Sequence, residues 1–223
     1  SIIILLFLPF TSFLLIKNLD FESREEITNK NLNQKDIKQW QRIDVLKDYR
    51  FYIICLNMLA MPWIATGIFV YQSFITDSKM WSIYTVPKAF MVYSITSIAT
   101  LFLTGFLVDK FTGRKLILFM NIPLLLAMLV LFQFKHEMFA YIFLGLIGIS
   151  NGLANILGSS TWAEIYGVRY IGSIKALTTA FMVFSTAFGT GIFGFLIDSG
   201  FTIENIAFIG VAYIVISLFL LIF

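Results

Sequence analysis

Residues 138–160 read MFAYIFLGLIGISNGLANILGSS, a stretch without a single charged side chain. A bilayer core about 30 Å thick requires about 20 such residues in an α-helix, so this stretch is long enough to cross a membrane. Five further runs occupy approximately residues 51–75, 89–108, 116–134, 171–197 and 203–223, and they contain only Lys175 and Glu204 as charged residues. The sequence therefore predicts an all-α integral membrane protein with six complete membrane-spanning helices.

The composition of the whole chain agrees with this fold class. Hydrophobic residues make up 59% of the sequence and charged residues only 13%, whereas soluble domains carry about 25% charge. The chain has one histidine and one cysteine, so the sequence predicts no metal site and no cofactor. We expect Cys55 to pack inside a helix, and the lack of a buried catalytic cluster argues against an enzyme.

The first apolar run, SIIILLFLPFTSFLLI at residues 1–16, is shorter than the others. A signal peptide is one interpretation, but the run has no initiator Met, no basic segment and no small-residue cleavage site. We interpret it as the end of a truncated transmembrane helix, and the chain as a fragment. The predicted domains are this helix end, a cytoplasmic central loop at 17–50 and a six-helix domain at 51–223.

The positions of the basic residues orient the predicted helices. Half of the 16 Lys and Arg lie in the central loop, and such residues favour the cytoplasmic side. Alternation then places the loops at 109–115 and 161–170 inside, where further basic residues lie. The opposite loops carry only Lys79, Lys135 and, at one helix end, Lys88. A multi-pass protein of the cell membrane, inner or plasma, is the expected location.

The central loop has two parts of different composition. Residues 33–50 have the pattern of a short amphipathic helix, with Ile37, Trp40, Ile43 and Leu46 facing the membrane or the helix bundle. The preceding segment of mixed charge is typical of a flexible tether between two halves of a protein. A binding site for a cytoplasmic partner is the alternative for this tether.

A short motif occurs twice, as GFLVD at residues 105–109 and as GFLID at residues 194–198. Three helices separate the copies, so they leave the membrane on opposite sides. Two inverted three-helix units, 51–134 and 138–223, would form a six-helix half of a secondary transporter. Lys110, Arg114 and Lys115 follow only the first copy, which lies on the predicted cytoplasmic side.

The first copy and its basic continuation carry a resemblance to a known family. Gly105, Leu107, Asp109, Lys110, Gly113, Arg114 and Lys115 are similar to the loop motif G-x-L-x-D-[RK]-x-G-[RK]-[RK] of the major facilitator superfamily, with Thr112 as an extra residue. The segments VLKDYRFY (45–52) and WAEIYGVRYIGSIKAL (162–177) also resemble bacterial members. The resemblance covers residues 1–223 and implies the end of helix six, the central loop and helices seven to twelve.

This loop motif has a physical interpretation. A carboxylate at Asp109 can accept from free N–H groups at a helix N-terminus, Gly113 permits a tight turn, and Arg114 can form a forked pair with a carboxylate. The resemblance implies a cytoplasmic gate in which Glu164 is the partner of Arg114. The alternative is that the basic residues only set the topology.

Two apparent catalytic motifs are better explained by helix packing. GTGIFG at 189–194 fits a dinucleotide-binding pattern and GISNG at 148–152 fits a nucleophile elbow, but both lie inside apolar helices without a strand-turn-helix context. Small residues allow helices to approach closely. We therefore predict helix-packing roles for the residues Pro62, Gly148, Gly152, Gly189, Gly191 and Gly194.

Polar residues inside the apolar runs are candidates for contact with a solute. Pro62 interrupts the first full helix and frees a backbone carbonyl, and four polar residues lie around it. Two amides four residues apart share one face of the fourth full helix. Each of these polar residues could line a cavity or form a hydrogen bond between helices, and the sequence leaves both roles open. The candidates are Asn57, Thr66, Tyr71, Gln72, Lys88, Asn151 and Asn155.

The position of Lys88 depends on where its helix begins. A start near Trp81 would place the cation inside the membrane as an anion site. A start at Pro87 would leave Lys88 at the outer surface, with its ammonium group in water, and we favour this interpretation.

The sequence-based expectation is a secondary active transporter, a symporter or antiporter that moves a small solute by alternating access. The loop segments most resemble the carboxylate and oxalate/formate branches, which implies a small organic anion such as a monocarboxylate. A drug or sugar carrier, or a non-transporting receptor of the same fold, is the alternative. The expected partners are the solute, a coupled proton or counter-solute, the lipid bilayer and a missing N-terminal half, without nucleic acid.

Overall fold

The computed structural model describes residues 40–222, which belong to one unit of the chain, Lys38–Phe223. These residues form helices and short connections, with no strand among them. The helices are α1 Arg42–Lys47, α2 Tyr49–Val70, α3 Gln72–Lys79, α4 Thr85–Phe111, α5 Gly113–Leu116, α6 Ile122–Gln133, α7 Met138–Tyr166, α8 Ile171–Asp198 and α9 Ile203–Ile222. The predicted truncated helix at 1–16 and most of the central loop lie outside the described residues.

The six predicted apolar runs are confirmed as helices long and apolar enough to cross a membrane. The spans are Tyr49–Val70, Thr85–Phe111, Gly113–Gln133, Met138–Tyr166, Ile171–Asp198 and Ile203–Leu221. The chain is therefore an all-helical, multi-pass membrane protein in the part that the structure describes.

Three spans differ in detail from the prediction. The first run breaks at Tyr71, so that α2 and the short α3 replace one helix. The third span begins with α5 and a 3₁₀ turn at Ile117–Phe119 before α6. The fourth continues to Tyr166 because Trp162 and Tyr166 extend its buried face beyond Ser160.

Only the end of the predicted amphipathic helix is visible, as α1. Its buried residue is Val45, while Ile43 is 65% exposed. The backbone N–H of Gln41 donates to Asp44 Oδ2 at 3.3 Å and begins the helix. Residues 33–39 lie outside the described part.

Contacts group the helix ends into two sets. At one end, Tyr166 donates through its hydroxyl to Asp48 at 3.1 Å, which joins the end of α7 to the start of α2. At the other end, Lys79 after α2 pairs with Glu204 at the start of α9, 2.8 Å apart. We call the first set, which also holds Arg114, the basic end, and the second the opposite end. This grouping agrees with alternating helix directions.

Glycines bring α4 and α7 into close contact. A Cβ at Gly148 would collide with the Tyr93 carbonyl of α4, and a Cβ at Gly152 would lie 2.7 Å from the Ser97 carbonyl. Thr96 Oγ1 crosses the same contact and donates to the Gly145 carbonyl at 3.0 Å. The predicted packing role of Gly148 and Gly152 agrees with these contacts.

A second close contact joins α2 and α8. Gly189 lies against the Trp63 backbone, and Gly194 lies against the Tyr71 hydroxyl. Ser185 Oγ donates to the Leu59 carbonyl at 3.1 Å. Gly191 differs from its neighbours because a Cβ there would meet no atom of residues 40–222 within 4 Å, so no described contact supports its predicted packing role. It lies on a face of α8 turned away from α2.

Candidate functional site

A cavity of about 450 Å³ opens between α2, α7 and α8. It has the size of a site for a small molecule. Its polar lining residues are Thr66, Tyr93, Asn151, Asn155, Ser159, Lys175, Thr178 and Thr179, and its apolar wall includes Met58, Met61, Met120 and Met182. Methionine side chains adapt to differently shaped ligands, so this wall can accommodate more than one apolar group.

Pro62 shapes the side of the cavity that α2 forms. It lies in the interior of the helix and has no N–H to donate to the carbonyl of Met58, one turn earlier. Met58, Pro62 and Thr66 all line the cavity. The predicted irregular position in the first full helix therefore borders the cavity.

The two amides of α7 lie along the opposite wall. Asn151 Nδ2 donates to Ser97 Oγ of α4 at 2.9 Å, and Asn155 Nδ2 donates to the Asn151 carbonyl at 2.9 Å. Neither side-chain oxygen has a hydrogen-bond partner among residues 40–222. Asn151 therefore both joins α7 to α4 and lines the cavity, the two roles that the sequence left open. The exposed Asn155 bonds only within its own helix.

Lys175 supplies positive charge to the cavity. It lies on α8, and Lys175, Thr178, Thr179 and Met182 follow the spacing that places residues on one helix face. Its ammonium group is exposed and has no carboxylate within 4 Å in the described part of the chain. From the sequence, Lys175 was interpreted only as one of the basic residues that orient the helices. Its spacing to two threonines was the signal that could have placed it in the site.

Three predicted solute contacts reach this cavity, and four do not. Asn57 is fully buried, and its backbone carbonyl accepts from Asn121 Nδ2 at 2.6 Å. The Tyr71 hydroxyl donates to the Thr190 carbonyl at 3.2 Å and so joins α2 to α8. Gln72 and Lys88 lie towards the opposite end, outside the cavity lining. Thr66, Asn151 and Asn155 are the three predicted residues that line the cavity.

The helix of Lys88 begins at Thr85, between the two predicted starts. Lys88 lies in its first turn and is exposed, and its N–H donates to the Tyr84 carbonyl at 3.2 Å. This position is that of a residue at the helix end, close to the favoured interpretation.

Glu164 contacts the loop motif differently from the prediction. Its Oε1 accepts from the backbone N–H of Gly113 at 2.7 Å, and its Oε2 accepts from the backbone N–H of Arg114 at 3.0 Å. The predicted forked pair with the Arg114 guanidinium is wrong. Two free donors at the start of α5 bind the carboxylate instead, as expected at a helix N-terminus.

The other residues of the loop motif lie around this contact. Asp109 and Lys110 are exposed, and Asp109 has no hydrogen bond or ion pair among the described residues. A Cβ at Gly105 would meet nothing within 4 Å, and Leu107 is 38% exposed. The extra residue Thr112 has φ 70° and ψ 144°. A β-branched residue is strained in this conformation.

A comparison of the chain with models of known protein families, with curated proteins and with solved structures finds no match. The helices, the cavity and their residues are therefore the basis for assigning a function. Among residues 40–222, no group of three His, Cys, Asp or Glu side chains is placed to hold a metal ion.

Proposed function

We propose that this chain forms the C-terminal half of a secondary transporter of the major facilitator type, which moves a small solute by alternating access. The observation that carries the proposal is the cavity between α2, α7 and α8 in a bundle of membrane-spanning helices. A second half would close over it, and solute would bind near the bilayer midplane between the halves.

The composition of the cavity supports a small organic anion, such as a monocarboxylate, as the solute. Lys175 provides a cation, and Asn155, Ser159 and Thr179 provide neutral donors and acceptors in the same lining. An ammonium group next to hydroxyls and amides can bind a carboxylate through charge-assisted hydrogen bonds. The methionine wall would take the apolar part of the solute. This assignment moves the proposed anion contact from Lys88 to Lys175.

Helix-end contacts support movement of the bundle between two states. Glu164 binds the start of α5 by two backbone hydrogen bonds, while Asp109 and the Arg114 side chain remain without a carboxylate or cation partner in the described region. Both groups are thus available to the other half of a transporter. We propose that their contacts form when the cytoplasmic side closes, driven by a proton or a counter-solute.

Thermal unfolding of the full-length protein in detergent tests the solute assignment. Carboxylates, sugars and hydrophobic cations would be added one at a time. A ligand at 100 times its dissociation constant stabilises a protein by about 2.7 kcal/mol. We expect a monocarboxylate to raise the unfolding temperature, and Lys175→Gln to remove this response.

Lys88→Gln is the matched control, because it removes the same charge outside the cavity. Its response to carboxylate should equal that of the unaltered protein. A response to sugars or cations alone would contradict the anion assignment. An equal loss in both variants would show that the effect of Lys175 depends on overall charge rather than on the cavity.

A further inference from the structure

A second crevice, of about 330 Å³, lies at the basic end of the bundle. It is bordered by the start of α2, by α5, by the end of α7 and by the end of α9, so it is separate from the solute cavity. Arg50 and Arg114 lie at its margin, and its apolar wall includes Ile53, Ile117, Leu118, Ile165 and Leu221. We call it the arginine crevice.

The two arginines carry charge that the described part of the chain does not neutralise. Neither guanidinium has a carboxylate within 4 Å among residues 40–222. Two acids of this end are occupied elsewhere, since Asp48 accepts from the Arg50 N–H and the Tyr166 hydroxyl, and Glu164 accepts from the backbone at the start of α5. The Arg50 guanidinium lies over the ring of Tyr49, 5.9 Å from its centroid. The crevice therefore combines two cations that have no carboxylate partner among the described residues with an apolar wall.

Thr161 gives this crevice an unpaired polar group. It lies in the crevice wall on α7 and is fully buried, and its hydroxyl has no hydrogen-bond partner among the described residues. A buried hydroxyl without a partner is costly and is normally satisfied. The α7 side of the crevice thus contains a polar group that the described residues leave without a partner.

The position of the crevice relative to the membrane limits what can fill it. Arg50 and Arg114 each lie one residue inside the start of a membrane span, so both are at a membrane surface. Tyr49 and Tyr52 are 67% and 51% exposed beside them, and exposed tyrosines are typical of the interface between lipid and water. Leu220 and Leu221, at the end of α9, complete the apolar wall at this surface.

We propose that the arginine crevice binds one anionic phospholipid of the adjacent leaflet. The phosphate lies between Arg50 and Arg114, and an acyl chain follows the wall formed by Ile53, Leu118 and Leu221. Guanidinium groups suit phosphate because they donate parallel hydrogen bonds to it. Basic pockets between membrane helices on the cytoplasmic side favour anionic head groups, and the positive-inside rule assigns this end to the cytoplasm. The proposal is independent of the transported solute, and it assigns Arg114 to lipid while the cytoplasmic side is open, before the contact with the other half forms.

Native mass spectrometry of the full-length protein tests this directly. Delipidated protein in detergent would be titrated with dioleoylphosphatidylglycerol, with dioleoylphosphatidylcholine and with inorganic phosphate. We expect one phosphatidylglycerol to bind in preference to phosphatidylcholine, and phosphate alone to leave the bound lipid in place. Neutralising either arginine, as Arg50→Gln or Arg114→Gln, should weaken phosphatidylglycerol binding by about 10-fold or more.

Two further variants separate the site from general charge and from misfolding. Arg169→Gln removes the same charge at the same end of the bundle, outside the crevice lining, and should leave lipid binding unchanged. Leu118→Trp keeps both arginines but fills the apolar part of the crevice, and should also weaken binding. Equal affinity for the two lipids, an equal loss in Arg169→Gln, or displacement of the lipid by free phosphate would overturn the proposal.

Discussion

Two successive stretches along one side of α7 differ in what lies beside their small and polar residues. One stretch carries Gly145, Gly148 and Gly152, and side-chain and backbone atoms of α4 fill the space beside them. The other carries Asn155 and Ser159, and an open cavity remains beside them. Residues three or seven apart lie on nearly the same side of a helix, so Asn155 and Ser159 continue the line of Gly148 and Gly152, and position along α7 separates the sealed contact from the open site. We call the glycine stretch the sealed face and the stretch with Asn155 and Ser159 the open face.

The difference shows how one helix can serve both rigidity and function. Glycines remove side-chain volume, so backbones touch and polar atoms such as Thr96 Oγ1 find partners across the contact. Amides and hydroxyls on the other face keep acceptors that no neighbouring helix uses. A substitution should therefore affect stability on the first face and binding on the second.

The largest effect is expected where the sealed face is filled. Gly148→Ala places a methyl group against the backbone of α4, and we expect a loss of about 1–3 kcal/mol in the free energy of unfolding. Alanine is intrinsically more favourable than glycine in a helix, so a loss of stability would have to come from the contact with α4. Urea-induced unfolding in detergent, followed by tryptophan fluorescence, would measure it.

Gly191→Ala is the control for this substitution, because nothing lies within 4 Å of the added methyl group. It should leave stability unchanged or raise it by up to about 1 kcal/mol. Equal destabilisation by both alanines would contradict the sealed-face account.

A smaller effect is expected at the end of the sealed face, where Glu164 holds the start of α5. Glu164→Ala removes the acceptor for two backbone N–H groups and should reduce stability by about 1–2 kcal/mol. Hydrogen exchange of the Gly113 and Arg114 amides should accelerate at the same time. Unchanged exchange at these two amides would show that Glu164 does not hold the loop.

At the adjacent turn, one substitution should raise the stability instead of lowering it. Thr112 has a positive φ that glycine adopts freely, so Thr112→Gly should raise stability by roughly 1 kcal/mol. Thr112→Ala also removes the hydroxyl but keeps the Cβ, and should give no such gain. Thermal unfolding of the two variants side by side would measure the difference.

The smallest effect on stability is expected on the open face. Asn155 is exposed and bonds only to its own helix, so Asn155→Ala should change the free energy of unfolding by less than about 0.5 kcal/mol. Ligand titration of the same variant should nevertheless show a weaker response to the solute. A large loss of stability would place Asn155 among the packing residues.

Hydrophobic runs allowed the six spans to be predicted, because uncharged apolar stretches of this length are typical of membrane-spanning helices. Spacing also identified Gly148 and Gly152, and the amides of α7. Periodicity could not distinguish Gly189 from Gly191, since which glycine meets α2 depends on the rotation of α8 about its axis. Lys175 was missed although its spacing to Thr178 and Thr179 marks one face of α8.

The loop contact of Glu164 could be predicted only in part. The sequence places a carboxylate near the end of α7 and a glycine turn after α4, and these two do meet. The predicted partner of Glu164 was the Arg114 guanidinium, whereas the observed partners are backbone N–H groups. Every helix start exposes such groups, and the sequence does not show which side chain accepts from them. The arginine crevice likewise depends on Arg50 and Arg114, which are far apart in the chain and come together only in the folded bundle.

Transport by the full-length protein in sealed liposomes tests the central claim most directly. Radiolabelled monocarboxylate would be added outside, with a proton gradient or an internal counter-solute, and uptake would be compared with that of Asn155→Trp, which fills the cavity. The account predicts uptake above that of protein-free liposomes, and its loss in Asn155→Trp with the folded protein still inserted. No flux of carboxylates, sugars or hydrophobic cations through correctly inserted protein would contradict it.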